Sequence, residues 1–132
     1  MDSTFGILEQ ILELKENHNY DRMTLNDIAD EMEDIIGEAS MWRTLRPGLS
    51  VDELIENLEF VIKEEDLESH GFNGDIQQLR ESHSYDRAKL EEMTDSIEEL
   101  IGEAVIWQTL RLGFSTDELL ENLEYIAREE DL

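Results

Sequence analysis

Residues 18–67, HNYDRMTLNDIADEMEDIIGEASMWRTLRPGLSVDELIENLEFVIKEEDL, return without a gap at 83–132 as HSYDRAKLEEMTDSIEELIGEAVIWQTLRLGFSTDELLENLEYIAREEDL. About 28 of the 50 positions are identical, so the chain is one unit written twice. Within the first copy Leu25, Ile28, Met32, Ile35, Ala39 and Trp42 recur at spacings of three and four, the period of one helix face. Leu90, Met93, Ile97, Leu100, Ala104 and Trp107 repeat the pattern in the second. The spacing predicts a central helix of about 20 residues in each copy, about 30 Å long. Arg46, Pro47 and Gly48 end the first, and Arg111, Leu112 and Gly113 the second, which makes the glycine the shared stop.

A third helix follows each stop. Ser50 with Glu53, and Ser115 with Glu118, have the S-x-x-E spacing of a capping box. Behind them Leu54, Leu58 and Val61, and then Leu119, Leu123 and Ile126, share one face. An amino-terminal helix with Ile7, Leu8, Ile11 and Leu14 precedes the first unit. Its second copy keeps Phe72, Ile76 and Leu79 and is expected to start at Asp75, after a joint at about 68–74 marked by two glycines, an asparagine and a serine. The expected fold is all-α, a tandem repeat of two three-helix units forming a helical bundle of about six helices, with units at 1–67 and 68–132. Gly37 and Gly102, each in the string IGEA, fall inside the expected central helices, where a glycine costs about 1 kcal/mol against alanine. Their recurrence suggests a close helix crossing.

Charge narrows the functional classes. The formal net charge is −25, with 18 acids against five bases in 1–67 and 17 against five in 68–132, so the charge belongs to the repeated unit rather than to a tail. A periodic apolar content of 39%, with Trp42 and Trp107, argues for a folded chain despite that charge. Cysteine is absent, which removes disulfides, thiol catalysis and the usual zinc sites. The start, MDSTFGILEQ, has no basic signal region, and no apolar run approaches a membrane span, so a soluble cytoplasmic protein is expected. Most bases recur in pairs: Lys15 with Arg80, Arg22 with Arg87, Arg46 with Arg111, Lys63 with Arg128. Their expected work is structural, at helix ends and beside local carboxylates.

Catalytic patterns are weak. His18, Tyr20, Asp21 and Arg22, with His83, Tyr85, Asp86 and Arg87, read better as hydrogen-bonded clasps than as catalytic groups, since no nucleophile or phosphate loop accompanies them. The Glu-x-x-His pairing of a carboxylate di-iron bundle is missing, as is a calcium loop of the EF-hand form. Glu53, Glu56 and Glu59, with Glu118, Glu121 and Glu124, have the E-x-x-E spacing. In those few residues the chain resembles the all-α nucleotide pyrophosphohydrolases of the MazG type. The resemblance implies magnesium held between helices and hydrolysis of a nucleoside triphosphate, which would also call for clustered bases that are scattered here. No cofactor, metal or catalytic residue is expected.

The acidic surface is what remains. Self-repulsion of this size disfavours nucleic acid and anionic membrane as direct partners and favours a basic protein. Carboxylates on successive helical turns approximate the phosphates of duplex DNA, which carries one charge per about 1.7 Å of axis. The expected partner-binding residues are Asp27, Asp30, Glu33 and Asp34 with Glu92, Asp95, Glu98 and Glu99 on the central helices, and the six E-x-x-E glutamates on the third helices. Phe60 and Tyr125 follow Glu59 and Glu124, off the apolar stripe, and are expected to anchor the interface. The reading is a nucleic-acid mimic that occupies the basic groove of a nucleic-acid-binding protein, of the anti-restriction or anti-CRISPR type found in phages and mobile elements, acting then in the host cytoplasm. An acidic adaptor or chaperone for a basic partner has the same pattern, and a homodimer is compatible with it. Halophilic adaptation fits less well, because 23 Glu stand against 12 Asp and only five Ala.

Overall fold

The computed structural model describes residues 6–18, 21–82 and 87–132, and the described residues are helical without strands. Eight α-helices run in order: α1 (Ile7–Asn17), α2 (Arg22–Ile36), α3 (Glu38–Gly48), α4 (Val51–Glu64), α5 (Phe72–Ser82), α6 (Arg87–Ile101), α7 (Glu103–Gly113) and α8 (Thr116–Glu129), with a 3₁₀ turn at Glu68–His70. The count exceeds six because each expected central helix is two. Gly37 closes α2 at φ 89° and ψ 151°, and Gly102 closes α6 with the same positive φ. That region of backbone space is essentially open to glycine alone. A Cβ built on either glycine meets nothing within 4 Å, so these residues mark a bend and not a close crossing.

The bend also redirects the apolar stripe. Leu25, Ile28 and Met32 are buried on α2, but Ile35 is 57% exposed, and Leu100 on α6 is 47% exposed. A continuous helix would carry the stripe through both residues. After the break α3 starts a face of its own, burying Met41, Trp42 and Leu45, while α7 buries Ile106, Trp107 and Leu110.

The starts of the third helices form as their spacing demands. Ser50 Oγ accepts from the Glu53 N–H at 3.2 Å while Glu53 Oε1 accepts from the Ser50 N–H at 2.8 Å. Ser115 and Glu118 repeat both bonds at the same distances. Asp21 caps α2 by accepting from the Thr24 N–H at 2.8 Å, and that bond holds its carboxyl below the usual value. The helix α5 begins at Phe72 rather than Asp75, so the joint is shorter than expected. Gly71, at φ 84°, turns the chain into it, and Phe72, Ile76 and Leu79 are buried.

The compact units cross the repeat. One comprises Met1–Gly48 with Phe114–Leu132, the other Leu49–Gly113. In the first, α8 packs on α1, α2 and α3; in the second, α4 packs on α5, α6 and α7. Each repeat therefore surrenders its third helix to the first two-thirds of the other, in place of the division expected near 68–74. The polar contacts that seat the exchanged helices are reciprocal. Arg22 donates to the carbonyl of Phe114, and Arg87 to that of Leu49 at 2.5 Å. Thr44 Oγ1 donates to Glu130 at 2.5 Å, and Thr109 Oγ1 to Glu65 at 2.7 Å. Lys15 bonds Glu124 and Arg80 bonds Glu59, each at 2.8 Å.

The glycines after Arg46 and Arg111 belong to this seating. Neither has a positive φ. A Cβ on Gly48 would lie 2.3 Å from the ring of Tyr125, and one on Gly113 would lie 2.4 Å from the ring of Phe60. They are sites of close approach, and the rings of the exchanged helices lie against them.

Candidate protein-binding surface

The sixteen residues singled out by sequence fall into two groups. Those on the third helices are mostly engaged within their own unit. Glu53 and Glu118 are capping partners, Glu59 pairs with Arg80, and Glu124 receives both Lys15 and Arg128 at 2.8 Å. Phe60 and Tyr125 are half-buried against the glycines. Glu56 and Glu121 remain exposed. The E-x-x-E carboxylates thus turn to separate tasks, and among the described residues no three His, Asp or Glu side chains come together in a way that could hold a metal ion.

The second group stays outward. Asp27, Asp30 and Asp34 on α2, and Glu92, Asp95 and Glu99 on α6, are exposed, while Glu33 and Glu98 are half-buried. Asp30, Glu33, Asp95 and Glu98 also take part in interactions within the protein. The amphipathic pattern of α2 and α6 explains the placement, because burying Leu25, Ile28 and Met32, or Leu90, Met93 and Ile97, turns the acidic side to water. Of the His–Tyr–Asp–Arg connectors, Tyr20, His83, Tyr85 and Asp86 lie outside the described residues. His18 ends α1 in the left-handed region, exposed, and Arg22 and Arg87 serve the exchanged helices.

The bases are drawn inward in function. Lys15, Arg22, Arg80, Arg87 and Arg128 donate to acceptors in their own unit, and Arg43, Arg46 and Arg111 also have partners. Asp27, Asp34, Glu56, Glu92, Glu99 and Glu121 form no such bond among the described residues. The surface that results is rich in unneutralised carboxylate.

Glu124 gives this arrangement a pH signature. Lys15 first, and Arg128 second, hold its carboxyl below the usual value. A carboxyl with a depressed folded value contributes stability that is complete above its unfolded value and is lost as pH falls through the folded one. Glu124→Gln is expected to cost about 0.5–1 kcal/mol at pH 7, since Lys15 and Arg128 are well exposed. Urea unfolding from pH 7 to pH 3 should show that difference shrinking below pH 4.5; a constant difference would mean the pairing contributes nothing.

A cleft recurs in both units, and sequence reading did not find it. In the first unit α1 and α2 both pack on α8 with little contact between themselves, leaving a cleft of about 580 Å³ floored by Leu14 and Ile28. In the second unit α5 and α6 flank α4 in the same way around a cleft of about 630 Å³ floored by Phe72, Leu79 and Met93. Glu13 and Glu31 join Asp27, Asp30 and Asp34 on the first cleft's walls. The available sequence signal was a set of positions where the repeats differ in charge, among them Glu13 against Gln78, Thr24 against Lys89 and Glu31 against Ser96.

No protein-family model, curated protein or solved structure matches this chain. No described helix is long and apolar enough to cross a membrane.

Proposed function

We propose that the protein is an acidic binding protein that occupies the cationic groove of a nucleic-acid-binding protein, in the manner of a nucleic-acid mimic. The observation that carries this reading is the allocation of charge: eight of ten bases have partners within the protein, while among the described residues the exposed Asp27 and Asp34 on α2 and Glu92 and Glu99 on α6 form no hydrogen bond or ion pair. Asp27, Asp30, Glu31, Glu33 and Asp34 lie within seven residue steps on α2, about 2 Å of helix axis per charge. Glu92, Asp95, Glu98 and Glu99 lie within seven steps on α6, about 2.6 Å per charge, while Glu91 is paired with Arg87. Both densities approach the one charge per about 1.7 Å of duplex DNA. In this reading the tandem repeat supplies the surface twice. An inhibitor of a restriction, CRISPR or nucleoid protein, encoded by a phage or mobile element, is the corresponding biological role.

The test is competition. A basic DNA-binding protein retained by the immobilised chain at 50 mM NaCl should be displaced by duplex DNA, with affinity falling at least about tenfold by 300 mM. Replacing Asp27, Asp34, Glu92 and Glu99 together by Asn or Gln should weaken it by a similar factor. Affinity indifferent to salt overturns the electrostatic mechanism. Retention that duplex DNA leaves intact favours an adaptor or chaperone for a basic partner, which engages it away from its nucleic-acid groove.

A further inference from the structure

We propose that the cleft between α1 and α2 receives a cationic amphipathic helix of the partner, and that the equivalent cleft between α5 and α6 does not. The proposal rests on the reading of the protein as a binder of basic proteins and names the element it takes.

The two clefts are duplicates at the level of the fold. Leu14 corresponds to Leu79, and Ile28 to Met93, so both keep an apolar floor. Their walls have diverged. The first carries Glu13, Asp27, Asp30, Glu31 and Asp34 with no base, a formal charge of −5. The second carries Asp75, Glu92 and Lys89 and, with Asp95 and Glu99 standing where the first has Asp30 and Asp34, a formal charge of −3 over the equivalent positions. Three differences make the second cleft less negative, Glu13 being Gln78 in the second copy, Thr24 Lys89 and Glu31 Ser96, and Asp75 in place of Gln10 returns one charge.

An apolar floor under anionic walls complements one kind of guest. Lysine and arginine lay their aliphatic stems along apolar surface and hold the charged head at the rim, where the carboxylates stand. A helix with apolar residues at i, i+3 or i+4, and i+7, flanked by bases, presents that chemistry along one face. The cleft's lining runs from Thr24 to Asp34 on α2, about 15 Å of helix, so it accommodates about three turns of guest helix. Lys89 on the second wall repels the same guest, and neutral Gln78 and Ser96 stand where the first cleft offers it Glu13 and Glu31.

A synthetic leucine–lysine amphipathic helix of 14 residues, fluorescently labelled, titrated with the full chain in 50 mM NaCl is the experiment. The expected stoichiometry is one tight site per chain. Glu13→Gln, Thr24→Lys and Glu31→Ser together install the second cleft's own residues, and should raise the dissociation constant at least tenfold with helical circular dichroism unchanged. The reciprocal set, Gln78→Glu, Lys89→Thr and Ser96→Glu, should add a second site. A variant with the same change in net charge placed elsewhere, Glu64→Gln, Glu68→Gln and Glu129→Gln, should bind like the parent. Equal loss in the two charge-matched variants overturns the cleft, as does failure of the parent to bind the peptide. If the parent still captures a basic DNA-binding protein at low salt in those cases, the cleft assignment alone falls; if it captures neither, the binding function falls as well.

Discussion

Replacing Gly37 and Gly102 together by alanine is expected to lower the unfolding free energy by about 2–6 kcal/mol, at about 1–3 kcal/mol for each residue forced into that backbone region. Domains of this kind are stable by only about 5–15 kcal/mol in total, so the double variant should be close to unfolding. The cost is conformational, because a Cβ at either position meets no neighbour within 4 Å and φ is +89° at both. Alanine also favours continuing the helix, and a continuous α2–α3 would carry α3, with its fully buried Trp42, away from α8. Urea titration followed by tryptophan emission measures the loss. D-alanine introduced at position 37 by peptide ligation supplies the control: it accepts positive φ and should be neutral or stabilising. L-alanine costing no more than a few tenths of a kcal/mol would show that glycine's backbone does not hold the bend.

Gly48→Ala is expected to cost about 1–3 kcal/mol for a different reason, overpacking against a ring. The added methyl would lie 2.3 Å from Cζ, 2.5 Å from Cε2 and 2.6 Å from Oη of Tyr125. That ring belongs to α8, seated in the first unit by Lys15, Arg22 and Thr44, and it has little freedom to withdraw. The two positions should therefore be strongly coupled. In a Tyr125→Ala background the same Gly48→Ala should be harmless, or stabilising by a few tenths of a kcal/mol through alanine's better helix propensity. Gly113→Ala with Phe60→Ala forms the matching cycle in the second unit, where the Cβ would lie 2.4 Å from Cζ of Phe60. A penalty that persists after the ring is removed would return these glycines to the role of helix stops.

These two pairs of glycines show how far local reading reaches. From sequence, the pair inside the long apolar pattern suggests a close crossing and the pair after Arg46 and Arg111 suggests a stop; in the structure the close approach belongs to the second pair, which does end α3 and α7, while the first pair makes a bend. A glycine is chosen either for its φ or for its missing Cβ, and the residues beside it along the chain do not say which. The difference lies in what stands opposite. For Gly48 that is a ring 77 residues further along the chain. Phe60 and Tyr125 show the same dependence: both leave the Leu54 and Leu119 stripe, and their half-buried rings lie against glycines far away in the chain. Ile35 and Leu100 fail in the opposite sense, since they keep the stripe's period past the point where the helix bends.

The acidic residues were legible in type and incomplete in place. Sequence reading put Asp27, Asp30 and Asp34 on an outward face, where they are. It did not join them to Glu13, because α1 meets α2 only across a cleft made by a helix from the other repeat. It also offered Glu53, Glu59, Glu118 and Glu124 to a partner, whereas capping and ion pairing hold them within the units.

The amino-acid sequence by itself determined the all-α class, the duplication, the capped starts of α4 and α8, and the apolar face of almost every helix, since each depends on residues within a turn or two of one another. Only the tertiary structure decided which third helix completes which core. The repeats carry nearly the same faces, so α4 and α8 present closely similar surfaces to either seat, and no local pattern distinguishes them. The choice is made where residues far apart in the chain meet: an arginine on a distant carbonyl, a threonine on a distant glutamate, a ring on a glycine.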